Sequence, residues 1–363
     1  MTAVTPLTIR GIRARPVNVP FRQPHMTAGG VVTSAPLVLI DLLTEQGVTG
    51  TSYVFCYTPL AAGPVAALTE NLAPMLKGDA VVPLALEQKL QKRFRLLGPQ
   101  GLTGIAMAGI DMAAWDALAR SVGLPLCRLL GGEPRPVPAY HSLGMGGAEA
   151  AARDATESRE LGFNTVKFKV GYPEAAGDVE VIRAARRAAG RSLGVLVDYN
   201  QSLSVPEALA RCRVLDGENL VWIEEPVSAD DFAGHAEIRS ASHTPIQMGE
   251  NWWGPHDMAK ALSAGSSDFV MLDVMKIGGV TGWLRAAALA EAKGLQVSSH
   301  LFPEISAQLL AATPTAHWLE YQDWADPILQ EPRRPRDGHI TPSSSPGCGL
   351  DWDESAVSKY LVR

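Results

Sequence analysis

The sequence predicts an α/β fold in which a closed barrel is joined to a smaller α+β module. From about residue 136, eight short apolar runs alternate with alanine-rich helical stretches: VPAYHSL, NTVKFKV, LGVLVDYN, NLVWIEE, PIQMGE, DFVMLDVMK, LQVSSH and AHWLE. Strict alternation of strands and helices is typical of a parallel sheet, and eight even repeats favour a closed barrel over an open sheet. No G-x-G-x-x-G motif follows a strand, which argues against a dinucleotide-binding fold. The 363 residues leave room for a second module.

The N-terminal third has a different residue pattern, in which strand-like segments come first and helical segments follow. This pattern predicts the α+β module. Strands are expected over residues 8–20, 36–43 and 49–57, and two or three helical stretches are expected to follow, at about 61–77, 85–97 and 102–122. Leu124-Pro125 ends the last helix, and Gly131-Gly132 marks a boundary. The tail from about residue 330 lacks the alternation of the barrel, so we expect it to pack on the N-terminal module.

Composition limits the kind of partner and the compartment. The net charge is -6, so the chain lacks the basic surplus that neutralises the phosphates of nucleic acid or of an acidic membrane. We therefore expect a small-molecule partner. The four cysteines are far apart and form no CxxC pair, which predicts buried thiols in a reducing compartment. No signal segment and no long apolar run stands out, so we expect a soluble cytoplasmic protein.

Ionisable side chains follow seven consecutive predicted strands, at the point where each strand ends. They are Lys167 and Lys169, Asp198 with Asn200, Glu224 and Glu225, Glu250, Asp273 with Lys276, His300, and Glu320. Because the strand ends of a parallel barrel form one rim with the loops that follow them, we expect these side chains to face one another. Charged groups at the ends of apolar strands are costly unless they are paired or bind a metal. The pattern therefore indicates a functional site.

Three carboxylates on neighbouring strands predict a metal site. Asp198, Glu224 and Glu250 would repel one another at the rim unless a divalent cation lay between them. Oxygen ligands without thiolate or imidazole favour Mg²⁺ over zinc. A single carboxylate could equally cap a helix in its loop, but three in register argue against that alternative. Neighbours on a strand point to opposite faces, so periodicity leaves open whether Glu224 or Glu225 is the ligand.

Two basic groups flank the predicted metal site. Lys167 and Lys169 are two residues apart on one strand, so both ammonium groups project from the same face. Like charges held together lower a lysine pKa towards the range of a general base. Asp273 ends the strand before that of His300 and would fix the imidazole tautomer. Glu320 completes the ring, either as a proton donor with a raised pKa or as a salt-bridge partner.

Seven motifs follow one another along the barrel: VKFKV, VDYN, WIEEP, QMGEN, DVMKIGG, SSHLF and HWLE. In this order they resemble the mandelate racemase branch of the enolase superfamily, the mandelate racemase/muconate lactonizing enzyme family, and the resemblance covers nearly the whole chain. It implies a modified TIM barrel of the (β/α)7β type at residues 134–325 and an α+β capping domain at residues 1–133. Residues 326–363 would return to complete the capping domain. A homo-oligomer, up to an octamer, is also implied.

The resemblance implies a role for each group at the rim. Mg²⁺ would be bound by Asp198, Glu224 and Glu250, with Glu225 outside the ligand set. Supporting polar positions are matched by Ser142, Asn200 and Lys276. The activity implied is abstraction of the α-proton of a 2-hydroxy acid through an enediolate, as in a racemase.

The resemblance also places one base on each face of the substrate. Lys169 would act on one face, while Lys167 neutralises the substrate carboxylate. His300, oriented by Asp273, would act on the other face. Glu320 would donate a hydrogen bond to the developing dianion. Removal of a proton from one face and return to the other is racemisation.

The side group of the substrate is less constrained by the sequence. The apolar lining that this branch uses for a phenyl ring is matched by Val32, Phe55, Tyr57, Leu96 and Leu301. Three positions depart from the apolar pattern and imply a roomier, more polar pocket: His25, Gly29 and Gln322. The closest alternative function is therefore an acid-sugar dehydratase. A cycloisomerase with a lysine acid conflicts with the intact Asp273 and His300 pair, and a non-catalytic binding protein conflicts with the complete ligand set.

Overall fold

The N-terminal module is a three-stranded antiparallel sheet with four helices. The computed structural model describes residues 6–362 of the chain. The sheet order is β1-β2-β3, and the elements are β1 (Ile9–Thr27), β2 (Gly30–Thr44), β3 (Thr49–Phe55), α1 (Pro59–Leu76), α2 (Pro83–Phe94), α3 (Gly101–Ser121) and the short α4 (Leu126–Leu129). The three predicted strands are confirmed, and each of the three candidate helical stretches forms a helix.

The hairpin of β1 and β2 is longer than the sequence predicts. Its pairing continues to Thr27 and Gly30, after a register shift between Pro20 and His25. Beyond Pro20 the hairpin is mostly exposed and lacks the apolar alternation that marks a strand. The backbone N–H of Met145 donates to the carbonyl of Met26 at 2.8 Å, which ties this end of the hairpin to the barrel.

Helix α3 is the core helix of the N-terminal module. Among residues 6–362 it is the one helix long and apolar enough to cross a membrane, and 83% of its most apolar window is buried inside the fold. A Cβ at Gly109 would lie 2.2 Å from Cδ1 of Ile40, so the missing side chain lets α3 pack closely on β2. The hydroxyl of Ser52 donates to the carbonyl of Gly109 at 2.7 Å. The apolar length of α3 is thus explained by packing.

Eight parallel strands form the second unit, as predicted. In chain order they are β4 (Val137–Leu143), β5 (Thr165–Lys169), β6 (Gly194–Asp198), β7 (Ile223–Glu224), β8 (Ile246–Met248), β9 (Phe269–Asp273), β10 (Val297–His300) and β11 (Leu319–Tyr321). The helices between them are α5 (Gly147–Glu160), α6 (Ala175–Ala189), α7 (Val205–Leu215), α8 (Phe232–Ala241), α9 (Pro255–Ala264), α10 (Gly279–Ala292) and α11 (Pro303–Ala311).

Hydrogen bonds close the eight strands into a barrel. The ladder runs β10-β9-β8-β7-β6-β5-β4-β11. Between its ends, the N–H of Ser299 donates to the carbonyl of Trp318 at 2.9 Å, and that of His317 donates to the carbonyl of Val297 at 2.8 Å. The predicted α/β barrel is confirmed, and its register brings the strand ends to one level because consecutive strands pair end to end.

The C-terminal segment contacts both units. Strand β12 (His339–Ile340) pairs antiparallel with β4 of the barrel. Helix α12 (Glu354–Tyr360) and the residues around it return to the N-terminal module, where the N–H of Val362 donates to the carbonyl of Pro16 at 2.9 Å. The predicted packing of the tail is therefore found, with an additional strand on the barrel. The domain limits at 133 and 325 stay a prediction, and residues 1–5 and 363 lie outside the described residues.

Buried polar contacts join the N-terminal module to the barrel. The side chain of Asp111 on α3 accepts hydrogen bonds from the N–H and the hydroxyl of Thr281 on α10, at 3.0 and 2.5 Å. The hydroxyl of Tyr53 on β3 donates to Glu304 on α11 at 2.7 Å. Both contacts are buried, so each group depends on its partner in the other unit. They fix α3 and β3 against α10 and α11 of the barrel.

Candidate active site

The charged residues predicted at the strand ends converge inside the barrel mouth. None of them is more than 7% exposed: Lys167, Lys169, Asp198, Glu224, Glu250, Asp273, His300 and Glu320. In the sheet register, Lys169 lies beside Asp198, and Asp198 lies beside Glu224. So many buried charges are stable only when they neutralise one another or bind an ion.

The carboxylates of Asp198, Glu224 and Glu250 form the metal-ligand cluster. Each offers an oxygen, and these oxygens lie within 4.8 Å of one another. Hydrogen bonds fix the orientation of two of the carboxylates. Asp198 accepts from the backbone N–H of Asn200 at 2.7 Å, and Glu224 accepts from the indole N–H of Trp222 at 3.0 Å. Oε2 of Glu250 is buried without a hydrogen-bond donor. Three convergent carboxylates with a free buried acceptor fit a hard divalent cation such as Mg²⁺.

The backbone decides between the two adjacent glutamates. Glu224 ends β7 and points into the metal-ligand cluster. Glu225 follows in a left-handed conformation with φ of 35°, and its Oε2 accepts from the side-chain amide of Asn251 at 2.6 Å. Burial raises the pKa of Glu225 to about 8, and the charge of Glu250 adds to the effect. The structure thus brings Glu224 rather than Glu225 to the other two carboxylates.

The two lysines of β5 contact different carboxylates. Lys167 Nζ lies 2.6 Å from Glu224 and 2.8 Å from Glu320, while Lys169 Nζ lies 2.5 Å from Asp198. Burial and the repulsion from Lys167 act to lower the pKa of Lys169, but the carboxylates of Asp198, Glu250 and Glu224 together raise it. The predicted lowering is therefore wrong for the protein without metal. The prediction did not include the short contact between Lys169 and Asp198, which raises the lysine pKa. A bound cation would share the charge of Asp198 and weaken this effect.

His300 and Asp273 form the predicted pair. Nδ1 of His300 lies 2.7 Å from Oδ2 of Asp273, and its Nε2 lies 3.4 Å from Oε2 of Glu250. Burial acts to lower the pKa of His300, but the carboxylates of Glu250 and Glu320 and the hydrogen bond to Asp273 together raise it. The imidazole is thus oriented with one nitrogen towards the metal-ligand cluster.

Glu320 lies between the two basic groups. It accepts a hydrogen bond from the N–H of Leu301 at 3.0 Å and contacts Lys167 at 2.8 Å. Burial acts to raise the pKa of Glu320, but the positive charges of Lys167 and His300 lower it to about 2. Two roles were predicted for Glu320, and in this structure it is a salt-bridge partner. Its pKa is lowered rather than raised.

The supporting polar residues lie around this centre. Ser142 is the last but one residue of β4 and lies beside Lys167 in the register, and its buried hydroxyl has no partner among the described residues. Lys276 donates to Oδ1 of Asn251 at 2.5 Å and lies 4.5 Å from the centroid of the Tyr57 ring. Asn251 also donates to Glu250 at 3.3 Å. Sequence reasoning missed Asn251, although its place next to Glu250 on the rim was a usable signal.

The N-terminal module covers the site with a mixed surface. Phe55, Leu301 and Gln322 line one cavity. His25, opposite Val32 in the hairpin, approaches the site closely enough that burial and the charge of Lys169 lower its pKa to about 3.

Of the other predicted lining residues, Tyr57 lies beside the site, whereas Gly29 and Leu96 are exposed. The Tyr57 ring lies 4.6 Å from that of Phe55. Gly29 lies at the exposed turn of the hairpin. Leu96 is not brought to the lining in this chain, because the loop between α2 and α3 leaves its side chain 94% exposed. Sequence reasoning missed Trp324, whose ring lies between those of Phe21 and Phe55, at 4.8 and 5.2 Å.

Comparison with known proteins identifies the family. Residues 9–131 match the mandelate racemase / muconate lactonizing enzyme N-terminal domain, and residues 150–356 match the enolase C-terminal domain-like family. An enolase from Bradyrhizobium, complexed with magnesium and mandelic acid, is 48% identical with a TM-score of 0.96, and each chain is covered completely.

Relatives of known activity are more distant. L-talarate/galactarate dehydratase of Salmonella typhimurium is 31% identical over 90% of this chain and 82% of its own length. The 3,6-anhydro-alpha-L-galactonate cycloisomerase of Streptomyces coelicolor is 30% identical over 95% of this chain and 97% of its own. Solved structures of this group contain magnesium. The chain therefore belongs to the mandelate racemase/muconate lactonizing enzyme branch of the enolase superfamily, whose members are magnesium-dependent enzymes.

Proposed function

We propose that this protein abstracts the α-proton of a 2-hydroxy carboxylic acid and returns it to either face, as a racemase. One observation carries the proposal. Lys169 contacts Asp198 at one end of the metal-ligand cluster, and His300 contacts Glu250 at the other end. A substrate seated on the cluster would therefore have a basic nitrogen on each side of its α-carbon.

The reaction explains why so many charges are buried together. A proton next to a carboxylate is very weakly acidic, because its removal places a second negative charge on the substrate. Mg²⁺ bound by Asp198, Glu224 and Glu250 would supply positive charge that opposes this change. Lys167, which is fully buried, would hold the substrate carboxylate. Groups already fixed in place are worth several kcal/mol of barrier, roughly, because they need no reorganisation.

Each base has a distinct means of orientation. Asp273 fixes the imidazole of His300 through Nδ1, so Nε2 takes or returns the proton on one face. Lys169 exchanges a proton on the other face. Glu320 lies near both Lys167 and His300, which supports a position for it beside the substrate carboxylate. A carboxyl group that gains a proton as charge develops there would donate a hydrogen bond to it.

An acid-sugar dehydratase is the second candidate. Its support is the similarity to L-talarate/galactarate dehydratase and the polar character of His25 and Gln322 beside the cavity. In that reaction Lys169 would remove the α-proton, and His300 would protonate the leaving 3-hydroxyl. The two candidates use the same residues and differ in the substrate.

Proton NMR in deuterated water separates the candidates. The protein with Mg²⁺ is incubated with single enantiomers of mandelate and lactate and with galactarate and gluconate. Exchange of the α-proton with inversion of a 2-hydroxy acid is the expected result. Conversion of a sugar acid to a keto acid, without exchange of either 2-hydroxy acid, would establish the dehydratase instead. A double variant, Lys169→Ala with His300→Asn, serves as the control for both reactions.

A further inference from the structure

The two carboxylate oxygens of Glu224 accept hydrogen bonds from two different kinds of donor. Oε1 lies 2.6 Å from the ammonium group of Lys167, and Oε2 accepts from the indole N–H of Trp222 at 3.0 Å. The ammonium group carries a full charge on a flexible stem, whereas the indole N–H is neutral and can only donate. The two donors therefore hold Glu224 in different ways.

The indole of Trp222 is fixed inside the barrel, one layer below the metal-ligand cluster. Trp222 comes two residues before Glu224 in the same strand direction, so both side chains point to the barrel interior. Its carbonyl accepts from the N–H of Val197 at 3.3 Å. Its side chain is fully buried, and its ring lies 5.6 Å from that of Tyr140, edge-on, and 5.8 Å from that of His317. These contacts aim the N–H at Glu224.

Lys167 gives Glu224 a less constant support. Its Nζ also lies 2.8 Å from Glu320 and 3.5 Å from Asp198, so three carboxylates share one ammonium group. A cation bound at the metal-ligand cluster would repel this group, and a substrate carboxylate would attract it. The indole N–H has no net charge, so the cation does not oppose its bond to Oε2.

A carboxylate that is fixed at one oxygen suits Mg²⁺ better than Ca²⁺. Mg²⁺ requires near-octahedral geometry with short bonds to single oxygens, whereas Ca²⁺ takes more oxygen ligands and often both oxygens of one carboxylate. Because Oε2 of Glu224 is turned to Trp222, Oε1 is the oxygen left for a cation. The bond from the indole thus works against binding through both oxygens.

We propose that Trp222 is a positioning residue for the metal, which holds Glu224 to binding through one oxygen and so makes the site prefer Mg²⁺ to Ca²⁺. Trp222 acts through Glu224 and does not itself bind the cation. Partners of this kind, behind a metal ligand, typically change metal affinity by about 10- to 100-fold. The role is the same whether the protein is a racemase or a dehydratase.

Replacement of the N–H without loss of the ring tests this role. At position 222, 3-benzothienylalanine keeps the size and shape of tryptophan but has sulfur in place of the N–H, whereas Trp222→Phe also removes part of the ring. Isothermal titration calorimetry measures the Kd of each protein for Mg²⁺ and for Ca²⁺. We expect both replacements to raise the Kd for Mg²⁺ by about 10- to 100-fold. The preference for Mg²⁺ over Ca²⁺ should fall by about 10-fold.

Trp283 on α10 provides the matched control. It is also fully buried, and its indole N–H donates to the hydroxyl of Thr313 at 3.1 Å. The same two replacements at position 283 should keep both Kd values within about 3-fold of the wild type, because this bond lies outside the metal-ligand cluster. Circular dichroism in EDTA verifies that each variant is folded.

The outcomes distinguish a hydrogen bond from packing. Wild-type affinity with 3-benzothienylalanine, and a loss only in Trp222→Phe, would show that Trp222 supports the site by packing and would overturn the proposal. Equal weakening of Mg²⁺ and Ca²⁺ would overturn it too, as would equal losses at positions 222 and 283. No substrate enters these measurements, so the proposed function can fail while this inference stands.

Discussion

Asp273 and His300 end neighbouring parallel strands and are joined by a hydrogen bond of 2.7 Å between Oδ2 and Nδ1. Oδ1 of Asp273 accepts from the backbone N–H groups of Met275 and Lys276, at 2.8 and 2.9 Å, so the carboxylate is held on both oxygens. The second imidazole nitrogen faces Glu250. This relationship leaves Nε2 as the atom that can exchange a proton with a substrate.

Loss of one base should stop reaction from one face only. We expect Lys169→Ala and His300→Asn each to abolish turnover of one enantiomer while α-proton exchange of the other continues, because the two bases contact opposite ends of the metal-ligand cluster. Proton NMR of each enantiomer in deuterated water measures this. If both folded variants lost exchange of both enantiomers, the two-base mechanism would be wrong.

Replacement of Asp273 should affect one face selectively. In Asp273→Asn the amide no longer fixes the imidazole tautomer, so exchange on the His300 face should fall by about 10²- to 10⁴-fold. Exchange on the Lys169 face should change by less than about 3-fold, because Asp273 makes no contact with that lysine. The two enantiomers are followed separately, and an equal loss for both would show that Asp273 maintains the whole site instead.

The metal should depend on Glu250 far more than on its neighbour Glu225. We expect Glu250→Gln to raise the dissociation constant for Mg²⁺ by about 10²-fold or more, because one of three ligand charges is lost. Glu225→Gln is the matched control, since its side chain contacts Asn251 instead of the cluster. Isothermal titration calorimetry measures both. Equal effects would place Glu225 in the ligand set.

Removal of the metal should stop proton exchange on both faces. Treatment with EDTA should abolish exchange for both enantiomers, and added Mg²⁺ should restore it, because Lys167 and Lys169 already pair with Glu224 and Asp198 and cannot also oppose the second negative charge on the substrate. Exchange that persisted in EDTA would contradict a metal-dependent reaction.

Glu304 should make stability depend on pH. Burial raises its pKa from 4.5 to about 7, so the folded state binds the proton more tightly than the unfolded state. This contribution is fully present below pH 4.5 and is lost as the pH rises to about 7, by about 3 kcal/mol at most. In Glu304→Gln the decline in unfolding free energy over this range should be smaller than in the wild type.

Urea unfolding at four pH values between 4.5 and 7.5, in EDTA, measures this decline. The exposed variant Glu45→Gln should keep the wild-type slope. A Glu304→Gln slope equal to that of the wild type would show that the carboxyl of Glu304 is not protonated in the folded protein.

The architecture follows largely from local pattern. Eight apolar runs alternate with helices, and each such run became a strand of the barrel. The turn end of the β1–β2 hairpin was not predicted, because residues 21–35 have no apolar alternation. Their pairing comes from contact between the two strands. The environment of Leu96 also escaped prediction, because an apolar residue type does not determine whether a loop turns towards the site.

By itself, the sequence determined the fold class, the family resemblance and the residues that meet at the rim, because a βα repeat places every strand end at one level. The tertiary structure decided the side-chain contacts and pKa shifts, which depend on distances of a few ångströms. The turn at Glu225 left Glu224 with the other carboxylates, and the carboxylates around Lys169 raised its pKa, where the lysine pair alone predicted a lowering. Only the folded chain brought Gln322 to the same cavity as Phe55 and Trp324. Periodicity determines which face a side chain occupies, whereas charge and specificity depend on the distances across that face.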